Sequence, residues 1–134
     1  ITLRYFNVYG PREPIKGEYA PVIGLFKRQS NKNQSITIVS PGTQRRDFTY
    51  IDDVVEANIC AMNSNVQDIA FGIYNVGTGK NYSILEIADM IGGEKDIIPA
   101  RPAEVEETLA DIESTMRDLD WFPIFNLEDK INDY

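Results

Sequence analysis

A chain of 134 residues, 43% hydrophobic and 25% charged, has the composition of one folded unit with a modest core rather than of a disordered polypeptide. Its 13 basic and 21 acidic residues give a net charge of −8, which argues against nucleic acid or anionic membranes as partners, since both require a basic face. Histidine is absent, so His-ligated metals and Ser-His-Asp catalysis are ruled out of this segment; the single Cys60 permits no internal disulfide and fits a reducing cytoplasm. No apolar run reaches the ~18 residues of a membrane span. A small phosphate ligand stays open: scattered surface charge fades over a Debye length of ~8 Å, and two or three placed arginines can hold a phosphate on an acidic protein.

Taken in chain order, Ile1–Phe6 reads as a buried strand, so the chain is expected to be a piece of something larger. Asn7–Gly17, punctuated by Gly10, Pro11, Pro14 and Gly17, reads as a loop, and Pro21 suits the first turn of a helix running to about Gln29. Its apolar stripe is carried by Val22 and Phe26, widened by Ile23 and Leu25. Ser35–Val39 alternates β-branched residues as a strand does, and Ser40-Pro41-Gly42 turns the chain. Asp47–Ile51 is a short extended piece, after which Asp52 or Asp53 is predicted to cap a helix whose inward face carries Val55, Ile59 and Met62, broadened by Val54 and Ala61. Phe71–Val76 reads as a strand closed by Gly77-Thr78-Gly79. Ser83 and Glu86 form a capping box opening a helix with Ile84, Ile87, Ala88 and Ile91 on one face, stopped by Gly92-Gly93. Ile97–Ile98 is a small strand before an exposed Arg101–Glu107 loop. Asp111 is predicted to cap a helix carrying Ile112, Met116 and Leu119, and Asn126 a last one with Leu127 and Ile131. The mixture of strands and helices without repeat or linker indicates one α/β or α+β unit.

Three features carry chemistry. Arg45-Arg46-Asp47 offers guanidinium forks suited to a phosphate, with a carboxylate to orient them, although a surface arginine beside an incidental acid is the commoner explanation of such a run. Arg101, beside Pro102, is a second anion ligand on the same terms. Asn7 ends an apolar strand where open α/β sheets bind ligands, though an Asn there often only makes a turn. Gly77-Thr78-Gly79-Lys80 is no phosphate loop, because Asn81 follows the lysine, and Tyr82 stands where a dinucleotide fingerprint needs its third glycine. Caps and solvated loops account for Asp52-Asp53, Glu104, Glu106, Glu107 and Asp111, so no metal is expected.

Together these pieces resemble a family. Leu3–Arg12 (LRYFNVYGPR), Pro41–Val55 (PGTQRRDFTYIDDVV), Tyr74–Gly79 (YNVGTG), Ser83–Ile87, Arg101–Asp111 and Leu119–Pro123 are similar, in order and over practically the whole chain, to segments of the NAD-dependent epimerase/dehydratases, the extended short-chain dehydrogenase/reductases. Phe6-Asn7-Val8 and Gly17–Ile23 lean toward the UDP-glucose and UDP-N-acetylglucosamine 4-epimerases within it.

The resemblance implies an α/β fold: the C-terminal part of a Rossmann-type enzyme with its small α+β substrate-binding subdomain, residues 1–134 forming a nucleotide-sugar-binding region without the NAD-binding domain. It also implies NAD as cofactor, a UDP-sugar as ligand, a cytoplasmic location and a homodimer at full length. Tyr5 and Phe6 would lie near the nicotinamide. Asn7 would bond the substrate diphosphate, Arg46 and Arg101 would clamp it, Thr37–Val39 would offer backbone and an apolar wall to the uracil, and Glu104 would stand at the ribose in place of the usual Asp. In the complete enzyme an upstream Tyr-x-x-x-Lys pair and NAD would invert C4 through a 4-keto intermediate. That pair is absent from this sequence, where the nearest spacing, Lys16 to Tyr19, runs in the wrong order. A 4,6-dehydratase or decarboxylase of the same family, or a non-catalytic nucleotide-sugar-binding module, remains an alternative.

Overall fold

A computed structural model describes residues 1–15, 20–65, 67 and 71–134. Among the described residues thirteen elements follow one another: β1 (Thr2–Tyr5), β2 (Val8–Tyr9), α1 (Val22–Asn31), β3 (Ile36–Val39), β4 (Arg45–Asp47), β5 (Thr49–Tyr50), α2 (Ile51–Asn63), β6 (Ile73–Val76), β7 (Asn81–Ser83), α3 (Ile84–Ile91), β8 (Lys95–Ile98), α4 (Glu113–Leu119) and α5 (Leu127–Lys130). Among the described residues the strands pair two by two: β1 with β6, β2 with β5 and β3 with β8 run parallel, while β4 and β7 run antiparallel. Parallel pairs need long crossovers, and the helices supply them. Gly17 of the predicted first loop, and the 17–19 part of the Gly17–Ile23 resemblance, lie outside the described residues.

The interior divides into two clusters. In the larger, Ile23 and Phe26 of α1 meet Ile36 and Ile38 of β3, Tyr82, and Ile84, Ile87 and Ala88 of α3. The strand period of two explains β3: Ile36 and Ile38 are fully buried, and the alternating Thr37 and Val39 face the other way. The smaller cluster gathers Val54 and Ala57 of α2 with Tyr74 and Val76 of β6, Leu119 and Trp121.

At the start of α3 the predicted capping box is present: Ser83 Oγ accepts from the Glu86 N–H at 3.1 Å, and a Glu86 carboxylate oxygen accepts from the Ser83 N–H at 2.6 Å. Gly92 ends the helix as expected, at φ 78°. Asp111 does not hold the predicted cap position: Ile112 is the N-cap, without a side-chain cap bond, and Asp111 Oδ1 accepts from the Glu113 N–H at 3.1 Å from one residue earlier.

Helix α2 departs from the prediction in two ways. It begins at Ile51, so Asp52 and Asp53 sit inside its first turn instead of capping it. Its buried side carries Asp53, Val54 and Ala57, whereas Val55, Ile59 and Met62, expected inward, are exposed, Met62 by 84%. The sequence offers two apolar stripes, and polar contacts decide between them. The Asp53 carboxylate accepts from the N–H groups of Ile124 (3.0 Å) and Phe125 (3.2 Å), and the Asp53 carbonyl accepts from the Trp121 indole at 3.0 Å. These bonds turn the Asp53 side toward the C-terminal segment and leave the other stripe outward. Burial pushes the Asp53 carboxyl above the usual range, and the Ile124 and Phe125 amides pull it back.

Ser83→Ala is expected to cost ~1 kcal/mol in urea unfolding, the usual worth of a helix N-cap. Bonds from Ser83 and the Arg45 guanidinium hold the Glu86 carboxyl below its ordinary value. Its contribution is therefore full above the unfolded value of ~4.3 and lost as pH falls through the lower folded value. Glu86→Gln should flatten that acid limb in unfolding curves taken across pH. The outward stripe of α2, with Tyr5 and Ile73 on the β1–β6 pair also exposed, predicts concentration-dependent self-association in sedimentation velocity, which the double change Ile59→Lys, Met62→Lys should shift toward monomer.

Candidate functional site

A cleft of ≈ 690 Å³ opens on the described surface, within the range of small-molecule sites. An apolar wall comes from α1 through Val22, Ile23, Leu25 and Phe26, and β3 contributes Thr37 and Val39. Gln44, Arg46 and Phe48 line it from β4 and its approaches, Asn7 and Val8 from the turn between β1 and β2, and Arg101 and Glu104 from the long loop after β8. Asn7, Thr37, Val39, Arg46, Arg101 and Glu104, singled out from the sequence, thus share one cavity. Tyr5 and Phe6 do not line it. Tyr5 is exposed and donates its hydroxyl to Asn58 Oδ1 at 3.0 Å, while Phe6 is held through its backbone, its N–H on the Val76 carbonyl (2.9 Å) and its carbonyl accepting from Thr49 Oγ1 (2.7 Å).

Alternation along β4 separates the two adjacent arginines. Arg45 points away from the cleft, donating to Asn81 Oδ1 (2.8 Å), the Asn81 carbonyl (2.7 Å) and Glu86 (3.0 Å). Arg46 faces the cleft. The carboxylate that orients it is not Asp47, as the tripeptide suggested, but Glu104, whose Oε1 accepts from Arg46 Nη2 at 2.7 Å. In this state Glu104 is spent on Arg46. Arg101 is exposed, with no ion pair among the described residues.

Asp47 is fully buried and does other work. Its Oδ1 accepts from the Thr78 N–H (2.9 Å) and hydroxyl (2.8 Å), and its Oδ2 from the N–H groups of Gly79 (3.0 Å) and Ala110 (3.1 Å). Its carbonyl accepts from Asn7 Nδ2 at 2.7 Å, and its N–H donates to the Thr108 carbonyl at 3.1 Å. Gly77 is required beside it, since a Cβ there would stand 2.3 Å from the Ala110 Cβ. The Gly77–Gly79 segment is thus a turn between β6 and β7, and the amides of Thr78 and Gly79 are directed at a protein carboxylate.

Asn7 holds its turn at φ 32°, a left-handed conformation that Asn tolerates. One of its amide hydrogens is committed to Asp47; the other, directed at Thr108 Oγ1 over 3.3 Å, is the one an incoming anion could take.

One cleft residue gave no signal in the sequence. Arg28, which adds a third guanidinium to the lining, reads as an ordinary helix-surface arginine. Outside the lining, Glu13 lies against the α1 backbone at Gly24, where an added Cβ would meet its carboxylate and the Arg28 guanidinium. Burial raises the Glu13 carboxyl, opposed by the charges of Arg28 and Lys27.

The cleft therefore presents guanidinium groups, an amide and a strand edge beside an apolar wall, an arrangement for a ligand with an anionic middle and a flat, partly polar end. Among the described residues no cluster of acids, cysteines or histidines could hold a metal, and no helix is long and apolar enough to cross a membrane.

Residues 1–77 match the NAD dependent epimerase/dehydratase family. A UDP-glucuronate 4-epimerase of Thermodesulfobacterium geofontis is 34% identical over 135 residues, covering 96% of this chain and 39% of the relative. The crystal structure of a UDP-glucose 4-epimerase with UDP-glucose from Thermotoga maritima superposes with a TM-score of 0.88 at 30% identity, over 96% of this chain and 42% of that one. A UDP-glucuronic acid 4-epimerase from Bacillus cereus, in complex with UDP-glucuronic acid and NAD, gives 0.86 at 32% identity, over 96% and 41%. The chain spans about two fifths of the length of these relatives.

Asp47→Asn replaces one acceptor oxygen by an NH₂ group facing N–H donors, so at least one buried donor loses its partner. It should destabilise the chain by ~2 kcal/mol in urea unfolding.

Proposed function

The chain belongs to the NAD-dependent epimerase/dehydratase family, and we propose that it is the C-terminal, nucleotide-sugar-binding part of a nucleotide-sugar 4-epimerase, with a UDP-sugar as ligand. The observation that carries the reading is the sharing of one cleft by Asn7, Arg46 and Arg101, drawn from three distant stretches of sequence. In the proposed complex the diphosphate lies between Arg46 and Arg101, where charge-assisted bonds are strongest and an arginine fork matches two phosphate oxygens at once. Asn7 donates its less committed hydrogen to the same group. The base lies against the β3 edge at Thr37 and Val39, on the apolar wall of α1. Glu104 leaves Arg46 to the phosphate and turns to the ribose hydroxyls, whose O–H groups a carboxylate accepts well.

This chain's part in the reaction is binding and orientation. When bound in a complete enzyme, NAD supplies the oxidation and reduction at the sugar. The Thr78 and Gly79 amides serve Asp47 and offer that cofactor no nest, and the reading gives no hydride or proton transfer to this segment. Tyr5 and Phe6, at the end of β1, are the proposed neighbours of the nicotinamide. Holding the diphosphate firmly while leaving the sugar free to turn is what inversion at C4 demands of a binding site. The exposed faces of α2 and of the β1–β6 pair are where the remainder of such an enzyme would pack.

Titration calorimetry with UDP provides the test. The chain should bind UDP, and Arg46→Ala should weaken binding by ~1–3 kcal/mol, the worth of bonds to a charged group. Equal affinity in the two proteins would remove Arg46 from the site.

A further inference from the structure

Strand β3 has a free edge, and its hydrogen bonding there is selective. The N–H groups of Ile36 and Ser40 donate to the Glu94 and Ile98 carbonyls at 2.7 and 2.9 Å. This sets the phase of the parallel pair, so the backbone groups of Thr37 and Val39 turn away from β8. In order along the edge come the Thr37 N–H, Thr37 carbonyl, Val39 N–H and Val39 carbonyl. Side chains take the outer two. The Thr37 N–H donates to Gln29 Oε1 at 3.1 Å, while Gln29 Nε2 donates to Thr37 Oγ1 at 2.8 Å. The Val39 carbonyl accepts from Gln44 Nε2 at 3.0 Å. Neither inner group, the Thr37 carbonyl or the Val39 N–H, has a partner among the described residues.

The amide orientations are fixed by chemistry. Reversing Gln44 would set its oxygen against the Val39 carbonyl, and reversing Gln29 would set its NH₂ against the Thr37 N–H. Gln44 is 6% exposed, and its Oε1 has no hydrogen-bond partner among the described residues. Its anchor to Val39 is therefore kept despite an orphaned buried acceptor.

We propose that Gln29 and Gln44 are specificity-determining positioning residues that bracket the β3 edge. They leave one adjacent acceptor–donor pair to read the nucleobase of the ligand. An uncovered strand edge could pair with a flat heterocycle in more than one register. With the outer groups engaged, the inner pair is the one left without a partner among the described residues, and its complement is an N–H beside a carbonyl, as on the imide edge of a pyrimidinedione. Gln29 and Gln44 act through the edge and do not themselves touch the diphosphate. The inference rests on the base-and-diphosphate reading of the cleft given above.

The experiment is titration of the 134-residue chain with UDP and, separately, with inorganic pyrophosphate, in the unchanged protein and in Gln29→Leu, Gln44→Leu and Gln29→Glu. Gln29→Leu and Gln44→Leu should each lower UDP affinity ~3–10-fold, on the scale of a net hydrogen bond, with pyrophosphate affinity unchanged. Gln29→Glu keeps an acceptor for the Thr37 N–H and hydroxyl, and should restore the UDP-to-pyrophosphate ratio. Gln29 lies half-exposed on the last turn of α1, so its variants keep the test open even if Gln44→Leu fails to fold. A parallel loss of both ligands in Gln29→Leu, or an unchanged UDP affinity, overturns the inference while leaving the cleft reading in place. An unchanged chain that binds neither ligand overturns both.

Discussion

The Asp47 carboxylate organises this molecule. A fully buried carboxylate is tolerable only when its oxygens are met by donors, and here they are met by two backbone amides of the 78–79 turn, the Thr78 hydroxyl and the Ala110 amide. Those donors come from parts of the chain that share no secondary structure. One side chain thereby joins β4 to the β6–β7 turn and to the loop leading into α4. Through its main chain, Asp47 also fixes Asn7 and Thr108. With its neighbour fixed this firmly, Arg46 cannot slide along β4 without unmaking buried bonds, and its guanidinium stays directed at the cleft.

The strand period then converts one anchored residue into a division of labour. Arg45 lies on the side of Asn81 and Glu86, where it ties the capping box of α3 to β4. Arg46 lies on the other, with Glu104. A net charge of −8 does not oppose this local arrangement. Arg28, Arg46 and Arg101 line one cavity, and acids beyond a Debye length of ~8 Å are largely screened from it.

What was legible in the sequence is what depends on local chemistry. Ser83 with Glu86 announces a capping box because both partners lie within one turn, and Gly92 announces a helix end because of its backbone freedom. Asn7, Arg46 and Arg101 could be named because the resemblance supplies a register for residues far apart in the chain. Choices settled at long range were not legible. Nothing in the spacing of α2 says that Asp53 will find the amides of Ile124 and Phe125, more than seventy residues on, and so turn Val55, Ile59 and Met62 outward. Asp47 looked like the partner of its neighbour Arg46 because proximity in sequence is easily mistaken for proximity of side chains; in a strand, adjacent residues face opposite ways. Gln29 and Gln44 gave no signal at all, since what they do is visible only once the hydrogen-bonding phase of β3 is known.

The Arg46–Glu104 pair bears on how the cleft would take the proposed ligand. With side chains 13% and 31% exposed, the pair is too sheltered for either charge to be stranded without cost, yet open enough at the rim for its partner to be exchanged. A diphosphate arriving at Arg46 supplies new acceptors in place of the carboxylate. The carboxylate displaced in this way needs donors, and the ribose of the same ligand brings two hydroxyls. One nucleotide can therefore satisfy both members of the pair at once, which a lone phosphate cannot. Under the proposed reading, the acid beside Arg46 would favour a nucleotide, which can engage both members of the pair, over a free anion.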